Sequence, residues 1–378
     1  MNSELIRNDF PILKTKVGGH QIVYFDNAAT TQRPLPVVNA VLDYTTHENG
    51  NPHRGAHIFA ISASEAYDTS KEVVRDFIHA RSEKEIIYTR NTSESLNLVA
   101  RSYGETHLKA GDHILITIAE HHSNLVTWQR VAQKTGATLD YIYVDKETGH
   151  FPEEELKKID DPRVKLFAFA EVSNVLGIDF DPKPLIQRAH AHGAIVVLDG
   201  AQSTPHKPVD VQDLDCDFFA FSGHKMCSMG GIGVLYGKEE LLNDMEPFLM
   251  GGDMIEDVHE QETTYAELPA KFEAGTQYVE GAVSLVAAIR YVQAIGFDEI
   301  RAQEKRLVTR CLEGMKKLPF IHIIGPTDPE EKEGLVAFEV EGVHPHDVAQ
   351  ILSAEGICIR TGHHCAQPLH IYLSLIHI

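Results

Sequence analysis

No stretch of the 378 residues reaches the 18 or more apolar residues that a membrane-spanning helix needs. The start, "MNSELIRNDFPILKTK", lacks a basic segment followed by a long apolar run, so no secretory leader is read there. Basic side chains are few, 34 Lys and Arg against 55 Asp and Glu, for a net charge of −21. Clustered cations are what hold nucleic acid or an anionic membrane surface, and this balance argues against both partners. Cysteine is scarce as well: Cys216, Cys227, Cys311, Cys358 and Cys365 are odd in number, scattered and without a CxxC pair. Neither a disulfide framework nor a zinc site is signalled, and a reduced, cytoplasmic setting is expected. Internal repeats and low-complexity segments are absent too.

What the chain does have is alternation of two periods. "HILITI" (113–118), "LDYIYV" (139–144), "VKLFAFAEV" (164–172), "AIVVLDG" (194–200), "CDFFAFS" (216–222) and "GIGVLYG" (231–237) are short apolar runs. They are too continuous for half-exposed strands and suit a sheet covered on both faces. Helical stretches lie between some of them. "SNLVTWQRVAQKTG" (123–136) has Ser123 as its expected N-cap and Gly136 as its stop, and "KPLIQRAHAHG" (183–193) has an early Pro and a final Gly. Strand and helix in alternation predict βαβ units and a mainly parallel sheet. One long helical pattern, "VSLVAAIRYVQAIGFDEIRAQEKRLVTRCLEGMKKL", then leads into a smaller α/β unit. The expected class is α/β, with an N-terminal arm (1–20) packing on the small unit, a large domain (21–285) and a small C-terminal domain (286–378).

In open α/β sheets ligands sit beyond the carboxyl ends of the strands, and three such ends carry unusual polar residues here. "VVLDGAQS" places Asp199 and Gln202, "FFAFSGHKM" places Ser222, His224 and Lys225, and "YTRNTSESLNLVA" offers Thr92 and Ser93 at a helix start. Singly, each has a plain structural explanation: a turn through "DGAQ", a solvated loop lysine, an N-cap. Jointly they match the demands of pyridoxal phosphate: an amine, a carboxylate for the ring nitrogen and a phosphate cradle at a helix N-terminus.

The blocks "YFDNAATTQRP", "NPHRGAH", "NTSESLNLVA", "EHHSNLVTWQ", "EVSNVLG", "LDGAQS", "FSGHKM", "FEAGT" and "RTGHHCAQP", in this order, resemble the signatures of SufS-like, group II cysteine desulfurases. These are fold-type I enzymes of the class V aminotransferase family, and the resemblance covers residues 1 to 369. It implies a large domain with a mainly parallel seven-stranded sheet and a smaller C-terminal domain. It further implies that Lys225 forms the Schiff base with pyridoxal phosphate, that Asp199 pairs with the pyridine nitrogen and that Gln202 contacts the ring hydroxyl. His122 is expected to stack on the ring, and His121 to be structural. Thr92, Ser93, Ser222 and His224 are expected to hold the phosphate. Thr276 would reach the phosphate of a second subunit, which implies a homodimer. Asn174, Arg360 and His53 are assigned to the substrate side. The implied reaction converts L-cysteine to L-alanine and feeds iron–sulfur cluster assembly through a small sulfur-acceptor protein of the Suf system, with L-selenocysteine as an alternative substrate. No metal is expected, because the adjacent pairs His121, His122 and His363, His364 show no recurring ligand spacing. Two loops depart from the family pattern: "MCSMGG" after the lysine, and "GTQYVEG", where a Pro commonly follows the Thr.

Cys358 alternates within "GICIR" as a core residue, and Cys216, Cys227 and Cys311 are read as structural. Cys365 follows a mobile Gly and lies among polar and cationic neighbours, which favour the reactive thiolate. With the cofactor constellation it is expected to be the nucleophile that carries a persulfide. Two rivals remain: a class V enzyme without persulfide chemistry, and an impaired chain that keeps only the fold and its partners. The first is a relative in the same superfamily with no need of Cys365; the second turns on the final "HIYLSLIHI", which matches nothing in the family. The family continues past the cysteine and includes an Arg that clamps the substrate carboxylate. An incomplete small domain and an exposed, β-forming end are the expectations there.

Overall fold

The computed structural model describes residues 3–375. Seven strands, labelled in chain order, form the central sheet: β1 (Ile86–Thr89), β2 (His113–Thr117), β3 (Thr138–Ile142), β4 (Val164–Ala170), β5 (Ile195–Asp199), β6 (Phe218–Ser222) and β7 (Gly233–Gly237). Their spatial order is β1-β7-β6-β5-β4-β2-β3. All pairings are parallel except those of β7, which runs antiparallel to both β1 and β6.

The continuous apolar runs are explained by two covered faces. Phe167, Phe169, Val196, Leu198, Phe219 and Phe221 point into one core, while their chain neighbours Leu166, Ala168, Val197, Phe218 and Ala220 point into the other. The first core is closed by Val74, Phe77 and Ile78 of the helix Ile58–Ile78 and by Leu185, Ile186 and Ala189 of Pro182–Ala191, together with Leu285 and Ile289 of Val279–Ile295. The second is closed by Leu96 and Val99 of Thr92–Val99 and by Trp128 and Val131 of Val126–Thr135. Each buried Val, Leu, Ile or Phe side chain among these contributes about 1.5–3 kcal/mol. Among the described residues no single helix is long and apolar enough to cross a membrane.

Three expectations are corrected. Ser123 is no N-cap: it lies inside a short 3₁₀ turn, His122–Asn124, where its own amide donates to the side chain of His121, and the helix proper begins at Val126. Gly136, at φ +78°, does stop that helix. The long C-terminal pattern is not one helix. Gly296, at φ +88°, leaves the helical region and divides it into Val279–Ile295 and Phe297–Met315, bent by 75°.

The tail is the third. Pro368 stands in the first turn of a helix, Gln367–Tyr372, where its fixed φ is already helical. Leu369 and His370 are fully buried, and the hydroxyl of Tyr372 donates to the carbonyl of Val144 at 2.9 Å. Helical spacing gathers Ala366 and Leu369 with Val175, Leu176, Ile178 and Ile324 into a third apolar cluster, so the segment as far as residue 375 is packed and only some side chains, such as Ile371, are exposed. Residues 376–378 of the expected exposed end lie outside the described residues. In the small unit a strand Ile357–Cys358 pairs in parallel with Val23–Tyr24. This pairing and the third cluster bring residues 360–367 over the carboxyl ends of β2, β4 and β5.

Candidate active site

One part of the site is built where β6 stops and the helix Thr92–Val99 starts. Asn91 caps that helix by accepting from the Glu94 amide at 3.0 Å. The Thr92 amide donates to Ser222 Oγ at 2.8 Å, and the two hydroxyls pair at 2.7 Å. Ser93 Oγ meets Ser123 Oγ at 2.5 Å, which brings in the turn after β2. His224 is fixed through Thr30 Oγ1, 3.2 Å from its Nδ1, while its carbonyl accepts from the Thr31 amide at 3.0 Å. Burial, then the charges of Lys225 and Arg33, hold the His224 imidazole down at about 4, so it is neutral near pH 7.

Asp199 is the last residue of β5, level with Ala170 and Ala220 on the flanking strands. It is 5% exposed, and its Oδ1 accepts from the Ala201 amide at 2.9 Å. Burial pushes the carboxyl up, opposed by that amide and by Lys225. Lys225 ends the turn Gly223–Lys225 that follows β6. Burial pushes its amine down; Asp199 opposes this, Arg360 adds to it, and Cys365 opposes it. One amine, two acids and one guanidinium therefore act on each other at the strand ends. Gln202, three residues beyond Asp199, donates to the carbonyl of Ala28 at 2.9 Å.

Cys365 sits in a stretch of left-handed backbone: φ is +104° at Gly362, +46° at His364 and +57° at Cys365. Left-handed φ at a non-glycine residue costs on the order of 1–3 kcal/mol and needs outside support. Support comes from Asn174 Nδ2, which donates to the His364 carbonyl at 2.6 Å, and from the His122 amide, which donates to the Cys365 carbonyl at 2.6 Å. The Gln367 amide donates to His122 Nε2 at 3.0 Å. Arg360 Nη2 lies 3.1 Å from Cys365 Sγ, and the same guanidinium opposes the burial that pushes Asp26 up. Asn174 and Arg360, expected at the substrate, are thus seen to hold and to charge-match the cysteine loop.

The two adjacent histidines divide differently from expectation. His122 is taken up by the cysteine loop through both its amide and its ring. The His121 imidazole is the one that feels Lys225, and burial, then Lys225, His122 and Arg360, hold it down at about 4. Its Nδ1 accepts from the Ser123 amide at 3.1 Å. Nothing in "EHH" says which ring turns which way; the long-range bond from Gln367 decides it.

His53 and Thr276 are brought to another place. His53 Nε2 lies 3.0 Å from Asp68 Oδ1, and with Tyr67, Lys71, Glu273 and Gln277 it lines a recess of about 400 Å³. Thr276, beside Gln277, is exposed. Its loop is anchored by Glu273, which takes Lys71 Nζ at 2.5 Å, the Tyr67 hydroxyl at 2.7 Å and the Tyr88 amide at 2.7 Å. Among the described residues neither His53 nor Thr276 bonds to Lys225, Asp199, Ser222 or Cys365.

Residues 23–377 match the family model described as Aminotransferase class-V. The chain is 48% identical over 375 residues to a probable cysteine desulfurase of Halalkalibacterium halodurans, covering 99% of this chain and 91% of the relative. The chain belongs to the class-V aminotransferase family. Two solved structures are similar throughout. The apo cysteine desulfurase of Thermococcus onnurineus NA1 has a TM-score of 0.93 at 43% identity, covering 99% of this chain and 91% of that one. CsdA, a cysteine desulfurase of Escherichia coli, has a TM-score of 0.90 at 36% identity, covering 100% and 92%. Within the family the chain is an enzyme of the cysteine desulfurase group, dependent on pyridoxal phosphate.

The class-V site chemistry fits the residues present. A buried carboxyl and an amine lowered by burial follow the adjacent strands β5 and β6, and the hydroxyl-lined helix N-terminus after β1 is bonded to Ser222 at the end of β6, matching ring nitrogen, aldehyde carbon and phosphate.

Proposed function

We propose that this enzyme converts L-cysteine to L-alanine, taking the substrate sulfur onto Cys365 as a persulfide. The cofactor, when bound, supplies the electron sink that makes the substrate α-proton removable. Lys225 Nζ, uncharged more readily because it is buried, takes that proton. The Asp199 carboxylate would hold the proton on the ring nitrogen. Thr92, Ser93, Ser222 and His224 would hold the phosphate, and Gln202 would take the ring hydroxyl. The imidazole that would serve the ring is His121 rather than His122, since His121 is the one whose charge state is tied to Lys225.

Cys365 Sγ, as thiolate, attacks the substrate sulfur; an S–S bond forms, the carbon–sulfur bond breaks, and its electron pair leaves with the carbon that becomes the methyl group of alanine. Arg360 stabilises the thiolate, and Asn174 and His122 hold the loop that carries it. The observation that carries this reading is the Arg360 Nη2 contact of 3.1 Å on Cys365 Sγ, next to the Lys225–Asp199 pair. Thr276 and His53, which among the described residues form no bond with Lys225 of their own chain, serve the second subunit of a homodimer. A small acceptor protein collects the persulfide sulfur for iron–sulfur cluster assembly, and L-selenocysteine is an alternative substrate.

The test is stoichiometric. Purified enzyme given L-cysteine should release one alanine per persulfide trapped on Cys365, and Cys365→Ser should form neither persulfide nor alanine at the normal rate. Normal alanine production by Cys365→Ser would refute the reading in favour of a class-V reaction without persulfide chemistry.

A further inference from the structure

Glu120 is a fully buried carboxyl that the reaction above does not use. It directly precedes His121 and reaches three elements. Its Oε1 meets Thr117 Oγ1, on the last residue of β2, at 2.5 Å and accepts from the Ala170 amide, on the last residue of β4, at 3.2 Å. Its Oε2 accepts from Asn124 Nδ2, in the turn 122–124, at 2.7 Å. Among the described residues no Lys, Arg or His forms an ion pair with it, and the nearby charged group that bears on it is another acid, Asp199. An ionised carboxylate with zero exposure, no counter-cation and an acidic neighbour is costly; taking up a proton removes that cost.

The hydrogen bonds say where such a proton can go. Trp128 Nε1 donates to Asn124 Oδ1 at 2.9 Å, which fixes the amide so that Nδ2 must donate to Glu120. The Ala170 amide can only donate. The Thr117 hydroxyl donates to the ionised carboxylate and already accepts from the Ala119 amide at 3.2 Å; it is the one partner that can turn and accept, so the proton belongs on Oε1, facing Thr117 Oγ1.

We propose that Glu120 is a positioning residue that works as a neutral carboxylic acid, leaving Asp199 as the single negative charge beneath the cofactor ring while its two oxygens fix the β2 and β4 ends and the turn that carries His121. This purpose rests on the reading of Asp199 as the ring partner; the protonation itself does not. Burial, outweighing the bonds from Thr117, Asn124 and Ala170, drives the carboxyl up to about 8. Ala170 is the register partner of Asp199, so the amide that Glu120 holds lies on the rung next to the proposed ring contact.

The test reads the proton and not turnover, so its failure is separable from failure of the proposed reaction. Infrared difference spectra of wild-type holoenzyme against Glu120→Gln at pH 7 detect the carbonyl stretch of a protonated acid. Wild type should carry a band that the variant lacks, and raising the pH should remove it with a midpoint near 8. Trp128 is the chain's one tryptophan and is bonded to Glu120 through Asn124, so its fluorescence should change with the same midpoint in wild type and stay flat in the variant. A pH 7 difference spectrum with carboxylate bands alone overturns the proposal. Should Glu120→Gln not fold, wild-type protein made with ¹³C-glutamate decides: the label must shift a protonated-acid band whose pH midpoint the Trp128 emission shares, and absence of such a band overturns it.

Discussion

Arg360 points its guanidinium at the sulfur of Cys365, with Nη2 3.1 Å from Sγ. A hydrogen bond from a cation favours the thiolate over the thiol. Replacing Arg360 with Met should slow alkylation of Cys365 at pH 7 by roughly tenfold, about the 1.5 kcal/mol of a hydrogen bond to a charged group. Iodoacetamide labelling at fixed pH, followed by mass spectrometry of the 361–367 segment, measures it. An unchanged rate would show that the contact does not activate the thiol.

The two histidines should separate cleanly by readout. His121→Ala is expected to change the visible absorbance of the bound cofactor and to lower turnover by roughly 10²-fold, the lower end for loss of a positioned acid–base group. His122→Ala should leave that absorbance unchanged but alter the alkylation rate of Cys365, because it removes the ring that accepts from the Gln367 amide while keeping the backbone bond to Cys365. The opposite pattern would return the ring-facing role to His122.

Lys225→Ala removes the amine at the site. Loss of turnover by about 10²–10⁴-fold, together with loss of the wild-type cofactor absorbance, is expected, whereas a retained wild-type band would contradict the assignment.

Stability should fall on the acid side of neutrality. His121, His224 and His364 are each held at about 4 mainly by burial, so in the folded protein they stay neutral where the unfolded chain has already bound protons. A depressed folded value gives stability that is present above the unfolded pKa, near 6.5, and is lost as the pH drops toward 4. Each such proton adds about 1.4 kcal/mol per pH unit to the slope. Urea unfolding between pH 7 and 4.5 checks this, and replacing His364 with Gln should flatten the curve.

Lys71 and Glu273 form a buried ion pair, 5% and 7% exposed, with Lys71 Nζ also over the Tyr88 ring at 4.4 Å. Lys71→Met strands the Glu273 carboxylate, and removing one partner of a buried pair costs about 3–5 kcal/mol. Denaturant titration reads the loss directly. A change under 1 kcal/mol would mean that water reaches Glu273 through the adjoining recess.

The sheet was readable because both its faces are covered: residues 166–169 of "VKLFAFAEV" alternate between two cores, so the middle of the run is wholly apolar and stands out. Asp199, Ser222 and Lys225 were readable for the converse reason, being polar residues at the ends of such runs. Where local pattern failed, distant contacts had decided. The apolar periodicity passes straight through Gly296 although the backbone there turns by 75°. The polar look of "SNLV" hides that His121 satisfies the turn from outside it. "HIYLS" has strand-forming composition, yet Pro368 and the apolar cluster beneath Leu369 draw it into a helix. The choice between His121 and His122 depends on Gln367, 245 residues away from His122 in the chain.

That the antiparallel strand β7 lies between β1 and β6 has a consequence for how the chain acquires its shape. β1 leads into the Thr92 helix start, and it can dock only against residues 233–236. Thr92 and Ser222 are 130 positions apart. Closing so long a loop must precede any reward from the contacts it makes, which places this pairing among the slow events of folding. During synthesis the Thr92–Ser222 contact therefore cannot be held in the finished sheet until residue 236 has emerged.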